Sequence, residues 1–338
     1  MQHKRVSTVI CLLLILFILC GCGARRRLAA RESIGGFDSH VESISPPSQT
    51  GRLAQDPSPS TQRTPILWEG DLQRSLLVNG VERFYRIYVP AGYSRERPIP
   101  LVIVLHGGGG SGEQIEATSG MNQKADTAGF LVVYPDGSGR RFLTWNAGAC
   151  CGYAQRNNVN DVSFIRALID DMMKDFAIDR SRVFVAGMSN GAMMAYRLAC
   201  ELSERIAAVA VVAGTMTVTT CHPTRLVSIL HIHGTADDNV PFSGGIGPRS
   251  ITQVDYQSVP SSVESWVRRN ATRRIPQVTY QRGNVTCETY DGGKERTAVS
   301  LCTVDKGGHV WPGGRKDPHA MLSASDFIWN FFSAHARR

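Results

Sequence analysis

Val183-Phe184-Val185-Ala186-Gly187-Met188-Ser189-Asn190-Gly191-Ala192-Met193-Met194 is the stretch that decides how this chain folds. A short β-branched run stops at a glycine, a serine stands between two glycines, and a helix-forming run follows at once. This is G-x-S-x-G in a strand–turn–helix context, where a strained turn holds a serine hydroxyl proud of a sheet. Gly187 and Gly191 suit the turn because a Cβ at either place would crowd the adjoining strand and helix. On its own the pattern also fits an ordinary strand-to-helix turn, but the apolar strand before it and the apolar helix after it favour a nucleophile. Ser189 is the candidate, and it needs a base, an orienting acid and an oxyanion hole.

Upstream, Leu72–Val78 and Val81–Val89 flank Asn79-Gly80, a two-residue hairpin signal. Ile99–Leu105 is a continuous apolar run, as expected of a strand buried on both faces, and it ends in His106-Gly107-Gly108-Gly109-Gly110. A helical segment is expected over about 113–128, a strand at Phe130–Tyr134, and then a loop of roughly 25 residues. Asp161 is expected to cap a helix running to about Phe176, with Phe164, Ile165, Leu168, Ile169 and Met172 on one face. Downstream, strands are expected at Ala207–Val212, Leu226–His233, Val278–Tyr280, Val285–Tyr290 and Thr297–Val304, and helices at Ser261–Arg269 and Ser323–His335. Strands alternating with helices imply an α/β domain with a mainly parallel sheet and helices on both faces.

The acid is sought at the end of a buried strand, in His233-Gly234-Thr235-Ala236-Asp237-Asp238-Asn239-Val240-Pro241. Asp237 and Asp238 compete, and the spacing Asp-x-x-Val-Pro selects Asp237 over a plain Asx turn. The base candidate is His309 in Gly307-Gly308-His309-Val310-Trp311-Pro312, after the last strand. His231 and His233 lie on a buried strand and read as structural, and His222, His319 and His335 have no motif around them. The order Ser189, Asp237, His309 is that of α/β-hydrolases. Two backbone N–H groups are needed for the oxyanion: Asn190, directly after the nucleophile, and a residue of the loop after Leu105, Gly108 with Gly109 as runner-up.

With 42% hydrophobic residues in 338, the chain can bury one sizeable core. Its net charge of +8 is uneven. Residues 1–64 carry eight Lys/Arg against four acids, which leaves +4 on residues 65–338 and no case for nucleic-acid binding. Lys4 and Arg5 precede the apolar run Val9–Leu19, too short for a bilayer span, so residues 1–22 read as a signal segment. Leu19-Cys20-Gly21-Cys22 resembles a bacterial lipobox with Cys22 as the lipidated residue, an anchor to the membrane; the alternative is a plain secretory signal cleaved near Ala24. Residues 23–64, rich in Arg, Ser and Pro, read as a disordered tether, and 65–338 as a single catalytic domain. Six cysteines remain beyond the signal segment, and fifteen connectivities are open to them. Cys287 and Cys302 lie on two strands joined by a glycine turn and are the expected cross-strand bridge. Cys200–Cys221 follows by elimination, with Cys150–Cys151 a vicinal bridge or two thiols. No metal-ligand spacing is present.

Together these segments resemble the extracellular polyhydroxybutyrate depolymerase/feruloyl esterase family of α/β-hydrolases, including its lipoprotein esterases. The resemblance is carried by Leu105–Gly110, Tyr134-Pro135-Asp136-Gly137, Trp145-Asn146-Ala147-Gly148 with Cys150-Cys151-Gly152, Asp161–Phe164, Gly187–Gly191, His233–Asp237 and Gly308–Gly313, and covers about residues 75–335. It implies hydrolysis of carboxylic esters through an acyl-enzyme without a cofactor, on short-chain, hydroxyalkanoate or feruloyl-type esters, small or polymeric. Trp145 and Trp311, within two of these segments, are candidate substrate-binding aromatics. Asn160 departs from the family, which often has an aspartate there; the position suits a helix cap. The competing readings are a serine peptidase on the same fold, set back by the missing propeller or lid domain, and an inactive surface-anchored binding module, set back by the unbroken set of catalytic residues.

Overall fold

Leu101–Leu105 has no polar side chain to turn towards water, and in the computed structural model, which describes residues 70–337, it is buried on both faces inside a ten-stranded sheet. In chain order the strands are β1 (Gly70–Val78), β2 (Val81–Val89), β3 (Ile99–Leu105), β4 (Leu131–Pro135), β5 (Ile178–Met188), β6 (Ala208–Val212), β7 (Ser228–Gly234), β8 (Gln277–Arg282), β9 (Val285–Tyr290) and β10 (Val299–Val304). The helices are α1 (Gly112–Ser119), α2 (Met121–Ala128), α3 (Gly152–Arg156), α4 (Asp161–Asp175), α5 (Asn190–Glu201), α6 (Val259–Asn270) and α7 (Ala324–Ala334). Across the sheet the order is β1-β2-β4-β3-β5-β6-β7-β10-β9-β8. The six strands from β4 to β10 in that order run parallel, with antiparallel strands added at both edges. The signal segment, Cys22 and the tether lie outside the described residues.

The two-residue period of the strands divides the core. Leu101, Ile103 and Leu105 of β3 face a cluster that includes Phe164 and Leu168 of α4, Tyr196 of α5 and Trp266 of α6. Val102 and Val104 face the opposite cluster, with Ile115 of α1, Ala125 of α2 and Phe332 of α7. Each large side chain fully buried there contributes about 2 kcal/mol relative to its exposed state. The β1–β2 turn needs left-handed backbone at both central residues, and Asn79 and Gly80 supply it at φ 52° and 78°.

Local reasons account for the departures from expectation. The helix expected over 113–128 is two helices, because Gly120 takes φ 73° and ends α1 as it starts α2. The cap of α4 is Asn160, whose side chain accepts the Ser163 N–H, and not Asp161, which is wholly buried. β5 starts at Ile178, where it pairs with Ile99, well before the β-branched run at Val183. Cys287 and Cys302 are directly opposed in the β9–β10 register and are bonded, Cys200 at the end of α5 is bonded to Cys221, and Cys150 to Cys151.

Candidate active site

β5 ends against the N-terminus of α5, and the chain reverses within one residue. Ser189 is held there at φ 55°, ψ −121°, a conformation costly for any residue with a side chain. The turn is kept by the Ser189 N–H donating to Val212 O at 2.8 Å and the Ser189 carbonyl accepting from Met193 N at 3.0 Å. Space is as limited as the backbone angles. A Cβ on Gly191 would meet the carbonyl oxygens of Leu105 and His106, and one on Gly187 would meet the carbonyl of Gly191. Ser189 Oγ makes no hydrogen bond with the described residues, and Ser189 lines a surface cavity.

β7 and β10 lie side by side, and the loops leaving them bring Asp237 and His309 together across 72 residues. Asp237 Oδ1 accepts the N–H groups of Asn239 at 2.9 Å and Val240 at 2.8 Å, and Oδ2 accepts His309 Nδ1–H at 2.7 Å. Burial on its own would raise the Asp237 pKa; hydrogen bonds from His233, His309 and the Val240 amide outweigh it and hold the carboxyl well below the usual carboxylate range. With Nδ1 so engaged, Nε2 of His309 is the ring nitrogen left for chemistry. Asp238 is turned outward, 3.5 Å from Arg249.

Ser189 and His309 line one cavity of about 200 Å³, together with His106, Gly108, Ile115 and Trp311. A larger cavity of about 520 Å³, between the β1–β2 turn and residues 136–143, contains none of Ser189, Asp237 and His309. The candidate nucleophile and base share the smaller one. Gly109 N–H is taken by Leu143 O at 2.8 Å, whereas Gly108 N–H has no partner among the described residues. Asn190 is the first residue of α5, where a backbone N–H lacks an intrahelical acceptor. Gly108 and Asn190 are adjacent, a Cβ on Gly108 falling 3.7 Å from Asn190 Cβ.

The two tryptophans part company. Trp145 is fully buried and does not line the cavity; its indole N–H donates to His106 O at 3.0 Å. Its expected role in substrate contact is therefore corrected to one beneath the site. Trp311 does line the cavity, with its indole N–H tied to Ser325 Oγ at 3.1 Å. Sequence reasoning missed what surrounds Trp145. The Asn190 side chain accepts from Trp145 N at 2.7 Å and donates to Trp145 O at 3.0 Å, while His106 Nε2 accepts the Gly137 N–H at 2.9 Å. The next layer is ionic: Arg83 donates to Asp161 Oδ1 at 2.8 Å and Asp136 O at 3.1 Å, and Asp161 Oδ2 accepts Asn146 N–H at 2.8 Å. Burial raises the Asp161 pKa, and Arg83 and the Asn146 amide pull it part of the way back. The polar residues of Trp145-Asn146 and Asp161 were the available signal. Among the described residues no group of three or more His, Cys, Asp or Glu side chains could hold a metal ion.

A mostly parallel sheet with helices on both faces and a serine on this turn defines an α/β-hydrolase. The solved acetyl xylan esterase from Aspergillus awamori shares the fold, with TM-score 0.56 at 16% identity over 78% of this chain and 99% of that one. The family described as Esterase PHB depolymerase matches residues 83–263. The protein NocK of Nocardia uniformis subsp. tsuyamanensis is 30% identical over 79% of this chain and 82% of its own length. Feruloyl esterase B of Piromyces equi is 29% identical over 67% of this chain, which spans only 42% of that longer protein. The chain belongs to the Esterase PHB depolymerase family and is an esterase, a hydrolase of carboxylic esters.

Proposed function

We propose that the chain cleaves short-chain, hydroxyalkanoate or feruloyl-type esters through an acyl-enzyme on Ser189, with His309 as base and Asp237 as its orienting acid. What supports the roles is the 2.7 Å bond from His309 Nδ1 to Asp237, with Ser189 and His309 in one cavity. His309 Nε2 takes the Ser189 proton as Oγ attacks the ester carbonyl. The negative charge that develops on the carbonyl oxygen is met by the N–H groups of Gly108 and Asn190. Collapse expels the alcohol, protonated by His309, and water activated by the same nitrogen then releases the acid. The cavity of about 200 Å³ suits a small acyl group, and the names of the feruloyl and acetyl xylan esterases that the chain resembles point to the same range. Export is part of this reading, supported by the signal-like residues 1–22 and the disulfides, as is anchoring through Cys22.

The test is a hydrolysis panel on the purified protein: nitrophenyl acetate and butyrate, methyl ferulate, acetylated xylan and hydroxybutyrate oligomers. Ser189→Ala should lose at least about three powers of ten in kcat on every ester that the wild type turns over, with unchanged circular dichroism. Near wild-type turnover by the folded variant would reject the assignment.

A further inference from the structure

Behind Asp237 runs a line of buried side chains that the mechanism above does not use. Tyr196 OH lies 2.7 Å from His231 Nδ1, His231 Nε2 lies 3.0 Å from His233 Nδ1, and His233 Nε2 lies 2.8 Å from Val240 O and 3.4 Å from Asp237 Oδ2. All three rings are essentially inaccessible to water.

The chemistry of the ends fixes every proton between them. A carbonyl oxygen only accepts, so His233 carries its hydrogen on Nε2. In neutral His233 the Nδ1 lone pair must then receive the hydrogen of His231 Nε2, and His231 Nδ1 must receive the Tyr196 hydroxyl hydrogen. Reversing the line, with a protonated His233, would leave the buried Tyr196 hydroxyl without an acceptor among the described residues. That is a costly state. Burial also holds the His231 pKa well below that of a free imidazole, with His233 adding to the shift. The direction of donation is therefore Tyr196 to His231 to His233, and outward to the Val240–Asp237 turn.

We propose that His233 is a positioning residue for the triad carboxylate: its Nε2–H, set by the buried His231 and Tyr196, is bonded to Val240 O and lies 3.4 Å from Asp237 Oδ2, and so steadies the oxygen that orients His309. The proposal rests on the triad reading above. His233 turns the carboxylate without touching substrate, and it draws off part of the charge that Oδ2 would otherwise direct at His309. The surroundings hold little else that titrates. β10 places Thr303 and Leu301 beside His233 and His231, and β6 places Val211 beside His231. Phe242 meets the His233 ring edge-on, and Trp266 of α6 stacks on Tyr196. The ionisable neighbours are thus His231, Tyr196, Asp237 and, through Asp237, His309; Asp238 faces outward to Arg249.

The experiment is the pH dependence of kcat and KM on nitrophenyl acetate for purified His233→Phe, His233→Gln and Tyr196→Phe, with Ser189→Ala alongside. Phenylalanine keeps the volume and removes the donor, so kcat should fall about tenfold to a hundredfold, the range of a hydrogen bond to a charged group, with KM little changed. The acid limb of kcat/KM should move to higher pH, because an unshared carboxylate favours protonated His309. Glutamine can return an N–H to the position of Nε2 and should recover kcat to within about threefold and restore the limb. Tyr196→Phe loosens the tautomer of His231 and should move the limb the same way by less, and it carries the test if His233→Phe does not fold. Equal losses for phenylalanine and glutamine with an unmoved limb, or an unmoved limb in Tyr196→Phe, would overturn the proposal. Turnover surviving in Ser189→Ala would instead overturn the serine mechanism.

Discussion

Replacing Asp237 by asparagine turns a group that only accepts into one that is half donor. The three closest partners of this carboxylate all donate: Asn239 N–H at 2.9 Å and Val240 N–H at 2.8 Å to Oδ1, and His309 Nδ1–H at 2.7 Å to Oδ2, with His233 Nε2–H further off at 3.4 Å from Oδ2. An amide has no orientation that suits all three. With its NH2 in the place of Oδ1 it opposes two backbone N–H groups. Turned over, it opposes His309, which relieves the clash by carrying its hydrogen on Nε2, and that tautomer cannot accept from Ser189. In serine triads the wrong tautomer costs about four powers of ten in kcat, or about 5.5 kcal/mol of transition-state stabilisation. Asp238 gives the control, since its carboxylate is at the surface, 3.5 Å from an Arg249 that is itself 76% exposed. An exposed pair of this kind is worth little, and Asp238→Asn should stay within about threefold of wild type. Initial rates on nitrophenyl acetate, with circular dichroism melts for each variant, read the difference. Equal losses for the two variants, or a folded Asp237→Asn within about tenfold of wild type, would refute the reasoning.

Opening the Cys287–Cys302 bridge by a double serine substitution should lower the unfolding free energy by about 3 kcal/mol, for a bridge spanning 15 residues of sequence, as read by urea denaturation; an unchanged midpoint would count against it. Acid stability has a definite sign at Asp237. Its carboxyl is held below the usual range in the fold, so its stabilising contribution is complete above the titration of an unfolded aspartate at about pH 4, and drains away as the pH falls further. Stability of Asp237→Asn should therefore fall less steeply than that of wild type below about pH 4, followed by unfolding at stepped pH.

What could be read from the sequence was local or periodic. The elbow announces itself because its strand, glycines and helix are consecutive, and β3 because a run without polar residues has nowhere to go but the interior. The spacing to Val240 and Pro241 favours Asp237 over Asp238, and in the structure Val240 supplies an N–H to the Asp237 carboxylate. What escaped depended on distant partners. Nothing near Asp161 shows that Arg83, 78 residues earlier, will neutralise it, so a helix cap was the natural reading. Trp145 reads as a substrate aromatic from its place in a segment of the resemblance, yet its backbone N–H goes to Asn190, its indole N–H to the His106 carbonyl, and the ring is buried. Gly120 was read through because one glycine in a polar helical stretch carries no mark of left-handed backbone.

The order of the bridges along the chain has a consequence for how they are made. Cys150 is joined to Cys151, Cys200 to Cys221 and Cys287 to Cys302, so no bridge encloses or crosses another. Of the fifteen ways to join six cysteines, this is the one in which each partner is the next to arrive. If the chain is exported as proposed, N-terminus first into an oxidising compartment, each of these pairs can close before the next of the six thiols appears. Speed of oxidation then works in favour of the native set, and a disulfide isomerase has no error to correct.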